Sequence, residues 1–236
     1  MSEKNATDVS IDIQGLYRSD KQVLGNILLN LEKGKWTCLL GPSGTGKTTL
    51  LRCIAGLENI KDYTPPLLSY MAQQDLLLPW LTAFENISLG YSLRSESIDS
   101  NQAMKILAKI GLEETANYYP SQLSTGMRQR ISLARTIIED HPLILMDEPF
   151  SALDLATRLN LQNYAISALK EKTVLFVTHD ISEAIRLAHT IYIMRGTPAT
   201  LTRIENLSED PPPRSLKNHN LWQQYESISQ LFFEHS

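Results

Sequence analysis

The pattern of apolar and polar positions changes along the chain from strand-like to helical and back. Val9, Ile11 and Ile13 alternate with polar residues, and the apolar-rich stretch 23–31 follows them, so the pattern predicts early strands. The run 36–40 is short and mostly apolar, which is typical of a buried strand. The first part of the chain is therefore predicted to be rich in strands.

The middle of the chain, from about 82 to 138, has helical periodicity instead. Between 103 and 110 the apolar residues recur at the spacing of one helix face, with Ser100 as the expected N-cap and Gly111 as the stop. After Pro142 the strand pattern returns in 143–146 and 173–177, with a helical segment from about 155 to 170 between them. This order predicts a parallel sheet covered by helices and interrupted by a helical lobe.

The end of the chain reads as a separate tail. Residues 210–214 contain three consecutive prolines, which favour a stiff extended linker. Beyond it, four apolar residues fall on one face of a short helix: Leu221, Tyr225, Ile228 and Phe232. Packing of this face on the chain's own domain is favoured over a partner-binding stripe. We expect one domain over 1–206, with its helical part at about 82–138, and a tail over 207–236.

Composition restricts the functional classes. The chain has 236 residues, a formal net charge of -4 and 42% hydrophobic residues, so it is long enough for a sizeable core and a poor candidate for binding nucleic acid. Its polar start carries no secretory signal, and no apolar run is long enough for a bilayer, so a cytoplasmic location is expected. Cys38 and Cys53 lack the spacing of a metal or redox motif and are expected in the core.

Residues 41–48 carry the most specific motif, because Gly-Pro-Ser-Gly-Thr-Gly-Lys-Thr matches the P-loop pattern. The glycines let successive backbone N–H groups point at one anion, and a helix beginning at Lys47 adds its positive end. We expect ATP or GTP here, with Lys47 at the outer phosphates and Thr48 as a Mg²⁺ ligand. A glycine-rich turn that merely joins a strand to a helix is the disfavoured alternative. The expected nucleotide-binding residues are Gly41, Pro42, Ser43, Gly44, Thr45, Gly46, Lys47, Thr48 and Thr49.

Two acids, Asp147 and Glu148, end the apolar strand at 143–146. We expect this strand beside the P-loop strand, so that both acids emerge at the phosphates. Asp147 would hold Mg²⁺ through water, and Glu148 could polarise an attacking water. An acidic turn after a buried strand is the alternative, and its pairing with a P-loop makes it the minority interpretation.

Further motifs resemble those of the ATP-binding subunits of ABC transporters. The segment 123–130, Leu-Ser-Thr-Gly-Met-Arg-Gln-Arg, resembles the family signature sequence, and 151–154 resembles the D-loop. The triplet 178–180 resembles the switch-histidine loop. Gln73 aligns with the Q-loop glutamine, and Tyr17 matches the aromatic residue that stacks on adenine in this family.

The resemblance covers roughly residues 9–195 and implies a fold. That fold is an α/β P-loop NTPase with a mostly parallel core sheet, a reduced antiparallel β subdomain and an inserted α-helical subdomain. The β subdomain is expected to be trimmed because 57–72 is short and lacks the usual glycine turn. Thr125 is a second departure, since most members have glycine at this position of the signature.

The resemblance also implies the ligands, ATP and Mg²⁺, and residue roles. Glu148 would be the general base, and His179 would hydrogen-bond the γ-phosphate or the water and hold Glu148 in place. The implied catalytic set is Glu148, His179, Gln73 and Lys47, and the implied magnesium ligands are Thr48, Gln73 and Asp147. Ser124 would cap a helix, so that the N–H groups near Gly126 form a second phosphate site. In the family that site serves the nucleotide of the partner chain.

The implied partners are a second copy of the chain in a head-to-tail homodimer and membrane permease subunits, with a solute-binding protein acting through the permease and no nucleic acid. The location would be peripheral, on the cytoplasmic side of the membrane. The form of 77–86 and the ending of the signature, 127–130, look most like importers of nitrate, sulfonates, taurine or pyrimidine precursors. Trp80 would border the groove that receives the permease, although packing in the helical lobe is nearly as well supported.

Two other functional classes stay open at this point. One is a soluble ABC-type ATPase with a regulatory or nucleic-acid-associated role, which usually carries two cassettes or long coiled-coil insertions. The other is a small-molecule kinase built on a P-loop, which would leave 124–130 without a purpose.

Overall fold

The computed structural model describes residues 8–18, 21–58, 60, 63–204, 207, 210–215 and 219–233. Its strands are β1 (Val9–Arg18), β2 (Lys21–Leu31), β3 (Trp36–Leu40), β4 (Leu68–Met71), β5 (Leu143–Asp147), β6 (Thr173–Thr178), β7 (Thr190–Arg195) and β8 (Thr200–Arg203). Its helices are α1 (Lys47–Ile54), α2 (Ala83–Ile87), α3 (Leu89–Leu93), α4 (Ser100–Lys109), α5 (Thr125–Ile138), α6 (Leu155–Ala168), α7 (Ile181–Leu187) and α8 (His219–Phe233). No helix among these is long and apolar enough to cross a bilayer.

The strands form two sheets. β1 and β2 pair antiparallel as a separate two-stranded sheet, and the other six run in the order β4-β5-β6-β3-β7-β8. All neighbours in the larger sheet are parallel except β8, which is antiparallel to β7. The prediction of a mostly parallel core sheet is confirmed.

One sequence expectation about this sheet is wrong. The strand that ends in Asp147 was expected beside the P-loop strand, but β5 pairs with β4 and β6, and β6 lies between β5 and β3. Both β5 and β6 are buried along their whole length, so neither apolar pattern specifies which strand takes the central position. The two acids nevertheless emerge at the same sheet edge as the P-loop.

The core lies on both faces of the larger sheet, and alternate residues of β3 contribute to opposite sides. Trp36, Cys38 and Leu40 belong to a cluster that includes residues of α4, α5, α7 and α8. Leu39 belongs to a second cluster with residues of α1, β1 and β2. This alternation is the period of two that a strand imposes on its side chains. Cys38 and Cys53 are buried core residues, as predicted.

The helices α2 to α5 occupy the region of helical periodicity. The N-cap of α4 is Asp99 rather than Ser100, because the Asp99 carboxylate accepts a hydrogen bond from the backbone N–H of Asn101 at 2.9 Å. Ser100 is instead the first residue of the helix. Gly111 follows the helix end with a φ of 69°, which is the expected stop conformation. In the described part of 57–67 there is neither helix nor strand, consistent with a trimmed β subdomain.

The tail packs on the rest of the chain, as the favoured interpretation predicted. Leu221, Ile228 and Phe232 of α8 are buried in the same core cluster as the residues of α7. The residue that closes the proline segment, Arg214, is also buried, and its Nη1 donates to the carbonyls of Ile185 and Ala188, each at 2.6 Å. The segment is therefore anchored to the end of α7 by a charged side chain.

Candidate active site

The carboxyl ends of four neighbouring parallel strands meet at one edge of the sheet. The P-loop follows β3, Asp147 ends β5 with Glu148 next to it, and His179 follows β6. Gln73 comes two residues after β4. This edge is the usual place for a ligand in an open α/β sheet.

The P-loop backbone depends on its glycines. Gly44 and Gly46 have φ angles of 83° and 94°, a region that disfavours residues with a Cβ. A Cβ on Gly41 would lie 2.7 Å from the carbonyl oxygen of Met194, so the loop packs too closely on β7 for any side chain there. A Cβ on Gly44 would meet nothing within 4 Å. The loop is therefore tightly seated against the sheet at Gly41 and open at Gly44.

Lys47 lies buried beneath this loop. Its Nζ donates to the carbonyl oxygens of Gly41 and Pro42, both at 2.7 Å. Burial lowers the pKa of the Lys47 ammonium, and the nearby carboxylates of Glu148 and Asp147 oppose that shift. A cation is therefore held beside two acids at the mouth of the loop.

Asp147 is the most unusual group at this edge. It is buried, and neither carboxylate oxygen has a donor at hydrogen-bonding geometry among the described residues. Burial raises its pKa, while the neighbouring Thr48 hydroxyl opposes the shift. An unpaired buried carboxylate is destabilising, and a hard divalent cation satisfies such oxygens well. The buried Asp147 oxygens beside the Thr48 hydroxyl therefore fit a Mg²⁺ ion.

Glu148 and His179 form a pair. Nδ1 of His179 lies 2.7 Å from Oε1 of Glu148, and since an ionised carboxylate only accepts, Nδ1 carries the proton in that contact. Glu148 has a φ of 51°, in the left-handed region that a residue with a Cβ rarely adopts. Its backbone N–H donates to the carbonyl of Val177 at 3.0 Å, so the strained residue is tied to β6.

Gln129 also contributes to this edge, and the sequence interpretation missed it. It is buried on α5, its Nε2 donates to the carbonyl of Glu148 at 3.0 Å, and its Oε1 accepts from the N–H of Ala152 at 3.0 Å. One amide thus joins α5, the signature helix that begins within the signature segment 123–130, to Glu148 and to the D-loop. The available signal was a polar residue in phase with buried Leu133 and Thr136 of α5.

The start of α5 faces away from the core. Ser124 is its N-cap and accepts from the N–H of Met127 at 3.2 Å. Ser124 and Thr125 are exposed, and the Thr125 hydroxyl accepts from Nη2 of Arg128 at 3.2 Å. A Cβ on Gly126 would lie 3.2 Å from the carbonyl of Ala152, so this glycine packs on the D-loop.

Gln73 and Tyr17 lie at the surface. Gln73 is exposed and lines a cleft of about 440 Å³ together with Thr125 and Ser151. Tyr17 is 62% exposed, at an irregularity of the β1–β2 pairing. Neither side chain is buried in the core, so both are accessible to a ligand or a partner.

Two of the histidines that the motifs left without a role are structural. His141 Nδ1 contacts the Ser69 hydroxyl at 3.0 Å, and His189 Nδ1 accepts from the N–H of Trp36 at 3.0 Å. Burial, with Lys35 and Arg214 nearby, lowers the pKa of His189 to about 4. The side chain of His219 and the whole of His235 lie outside the described residues.

Comparison with known proteins identifies the family. Residues 24–151, more than half of the chain, match the family described as ABC transporter. The chain belongs to the ABC transporter family. Its relatives include an uncharacterized ABC transporter ATP-binding protein, YtlC, of Bacillus subtilis, 40% identical over 78% of this chain and 77% of that protein. The aliphatic sulfonates import ATP-binding proteins SsuB of Bacillus cereus and SsuB 2 of Agrobacterium fabrum are 37% and 41% identical, over 89% and 82% of this chain and 88% and 79% of their own.

Solved structures of ABC cassettes have the same fold. The ATP-binding cassette MJ0796, in a dimeric post-hydrolysis state bound to ADP and Pi, matches with a TM-score of 0.72 at 28% identity. The match covers 86% of this chain and 98% of that one. The predicted fold class and the resemblance to the ATP-binding subunits of ABC transporters are confirmed, and the sulfonate import relatives fall within the predicted group of nitrate, sulfonate, taurine or pyrimidine-precursor importers. This chain is thus an ATP-binding subunit and an ATPase of the ABC type.

Proposed function

We propose that this ABC subunit hydrolyses ATP to energise the import of a small solute across the cytoplasmic membrane. It would act as a peripheral protein on the cytoplasmic side, coupled to membrane permease subunits that receive the solute from a binding protein. The observation that carries the proposal is the convergence at one sheet edge of buried Lys47, unpaired Asp147 and the Glu148–His179 pair. The names of the sulfonate import relatives support the import direction.

Nucleotide binding would rest on the P-loop. Lys47 Nζ would exchange its two backbone carbonyls for phosphate oxygens, which are stronger acceptors because they are charged. The N–H groups of the loop and of the first turn of α1 would cradle the same phosphates. The exposed ring of Tyr17 would stack on adenine. The remaining contacts would come from Gly41, Pro42, Ser43, Gly44, Thr45, Gly46, Thr48 and Thr49.

Thr48 and Asp147, with Gln73, would hold Mg²⁺, whose charge would offset that of the phosphates. Phosphoryl transfer needs charge neutralisation and positioning more than covalent help, and Lys47 supplies a fixed positive charge for it. The fold brings Asp147, at the end of β5, close to Thr48 in the first turn of α1, although the two lie about a hundred residues apart in the sequence.

Glu148 would act as the general base. Its carboxylate would take the proton of a water that attacks the γ-phosphorus, and the bond to the leaving ADP oxygen would break. His179 Nδ1–H holds Oε1 of Glu148 at 2.7 Å, which leaves the other oxygen for the water. In that tautomer the Nε2 of His179 is an acceptor, so it would take a hydrogen bond from the water.

Completion of the site would require a second copy. Ser124 and the N–H groups near Gly126 lie at the exposed start of α5, where a partner's ATP could bind against them. The similarity to a dimeric cassette bound to ADP and Pi supports this head-to-tail arrangement. ATP would close the dimer, and hydrolysis would reopen it.

Coupling to the permease would pass through the segment after Gln73. Asp75 pairs with Arg128 of α5 at 2.9 Å, and Arg135 of α5 donates to the carbonyls of Asp75 and Leu76. The segment is thus fastened to the signature helix. Trp80, 68% exposed, lies at its far end and would meet the permease.

The test is Glu148→Gln, with Glu114→Gln as the matched control at an exposed position. We expect the first variant to bind ATP with unchanged affinity, to lose nearly all hydrolysis and to accumulate as a dimer with ATP. The control should behave as the wild type in all three measurements. Normal turnover by the Glu148 variant would remove Glu148 as the base.

A second measurement addresses the dimer. Ser124→Arg should leave ATP binding to the P-loop intact but abolish hydrolysis, because the bulky cation obstructs the partner's phosphate site. Full-rate hydrolysis by a strictly monomeric sample, unaffected by this change, would contradict the shared site.

Two further observations separate the alternative functions. Copurification with a polytopic membrane protein would support transport, whereas ATP-dependent retention on DNA or ribosomes would favour the soluble ABC ATPase. Release of phosphate without a phosphorylated product would exclude the small-molecule kinase.

A further inference from the structure

A buried glutamate lies behind the loop that carries His179, and none of the roles above uses it. Glu183 is in the first turn of α7 and is only 7% exposed. Its Oε1 accepts a hydrogen bond from Nε2 of Gln162 at 3.1 Å, and Gln162 is itself buried on α6. A buried carboxylate without hydrogen-bond partners destabilises the fold, so the contacts of Glu183 indicate what role it plays.

The hydroxyl of Thr178, the last residue of β6, lies close enough to the Glu183 carboxyl to act on its pKa, which it lowers. Thr178 is buried, and the same hydroxyl accepts from the backbone N–H of Asp180 at 3.1 Å. Because this hydroxyl accepts from the N–H of Asp180, its own proton is left to point toward the Glu183 side chain. The turn around His179 is therefore joined to the start of α7 by two hydrogen bonds, from the Asp180 N–H to Thr178 and from the Glu183 N–H to Asp180, and the Thr178 hydroxyl lies beside the Glu183 side chain.

His179 depends on this turn because packing does not hold its ring. The His179 side chain is 57% exposed, and its contact with Glu148 Oε1 is 2.7 Å long. A small rotation of the turn between Thr178 and Asp180 would move the ring out of hydrogen-bonding distance. The position of the imidazole is therefore set by the backbone that Thr178 and Glu183 hold.

The same buried cluster extends to α6 and the D-loop. Arg158, one turn before Gln162, donates through Nη2 to the carbonyl of Leu153 at 3.0 Å, and its Nη1 lies 3.7 Å from Oδ2 of Asp180. Asp180 in turn caps α7 through the N–H groups of Ser182 and Glu183. Two successive turns of α6 thus contact the start of α7, one at Asp180 and one at Glu183.

We propose that Glu183 is a positioning residue of the ATPase reaction, which, with Gln162 and Thr178, fixes the turn that holds His179 against Glu148. This inference rests on the proposed roles of Glu148 and His179. Glu183 does not touch the reacting atoms and acts only through His179.

The experiment measures steady-state ATP hydrolysis of the full chain together with thermal unfolding. Glu183→Ala should lower kcat about tenfold or more and leave the KM for ATP within about twofold, because the P-loop is untouched while the catalytic pair is displaced. Glu183→Gln keeps an oxygen toward Thr178 and should retain most of kcat. Asn163→Ala is the matched control, since it removes the 2.7 Å bond to Arg186 between the same two helices and should leave kcat unchanged.

A double-mutant cycle shows whether the effect passes through His179. In a His179→Ala background, the further change Glu183→Ala should cause no additional loss of kcat. An equal loss in both backgrounds, or an unchanged kcat in a stably folded Glu183→Ala protein, would overturn the inference.

Thr178 offers an independent approach if Glu183→Ala does not fold. Thr178→Val removes the hydroxyl while keeping the shape and should lower kcat with KM unchanged, whereas Thr178→Ser keeps the hydroxyl and should restore most of it. Equal kcat for the Val and Ser variants would also overturn the inference. If the wild type hydrolyses ATP and Glu148→Gln does not, the proposed function stands whatever these variants show.

Discussion

The burial of Glu183 predicts that the stability of the protein depends on pH. Burial raises the pKa of this carboxyl from 4.5 to about 7, with smaller contributions from the charges of Asp180 and Glu148, and the hydrogen bonds from Thr178 and Gln162 only partly oppose it. Because the folded-state pKa lies above the unfolded one, the protein is most stable with this group protonated. That stability is present below about pH 4.5 and is lost as the pH rises through about 7.

The size of the loss follows from the pKa difference. At 1.36 kcal/mol per pH unit, a rise from 4.5 to about 7 corresponds to roughly 3 kcal/mol in the free energy of unfolding. Glu183→Gln cannot ionise and should escape this loss. Relative to the wild type, the variant should therefore gain about 2.5 kcal/mol between about pH 5 and pH 8.5, or roughly 5–10 °C in Tm.

The assay is urea unfolding of both proteins at a series of pH values, analysed by linear extrapolation. Only the difference between the two proteins matters, since it cancels the titration of all other groups. Glu114→Gln removes an exposed carboxylate and reports how much of the change comes from net charge alone. A difference between wild type and Glu183→Gln that stays constant across the series would refute the argument that burial controls this group.

Three further changes test other contacts. Lys47→Ala should weaken ATP binding at least tenfold in a titration, because it removes the buried cation of the P-loop, and an unchanged affinity would count against the phosphate site. Gly41→Ala should lower the free energy of unfolding by about 1–3 kcal/mol and weaken ATP binding, because the new Cβ would lie 2.7 Å from the Met194 carbonyl; wild-type values would show that the loop can shift without cost. Arg214→Ala should cost about 2–3 kcal/mol in urea unfolding, because it removes two charged hydrogen bonds to the end of α7, and a loss below 0.5 kcal/mol would mean that α8 docks without this anchor.

Local sequence patterns were sufficient for the elements that carry the motifs. The glycine spacing of 41–48 predicted a loop between a buried strand and a helix, and the structure has β3 and α1 in those places. The spacing of Leu221, Tyr225, Ile228 and Phe232 likewise predicted one helix face against the core, and all but the partly buried Tyr225 are buried there. These predictions succeed because backbone conformation and amphipathic period depend on residues close in the sequence.

Contacts between residues far apart in the sequence could not be predicted from such local patterns. The amide of Gln129 joins Glu148 and Ala152, and nothing in the residues around 129 specifies either partner. The wrong N-cap assignment at Ser100 has a local cause. Asp99 and Ser100 are both good N-cap residues, and only the backbone geometry shows which of them caps the helix.

The phosphate-binding loop, the two acids after a buried strand and the order of motifs shared with ABC ATP-binding subunits could all be read from the amino-acid sequence. The order of the strands, with β6 between β5 and β3, the lack of a hydrogen-bond donor for Asp147 among the described residues and the burial of Glu183 followed only from the folded structure. The physical reason is that motifs record local conformation and chemistry. Strand order, burial and the pKa of a carboxyl depend on residues that only folding brings together.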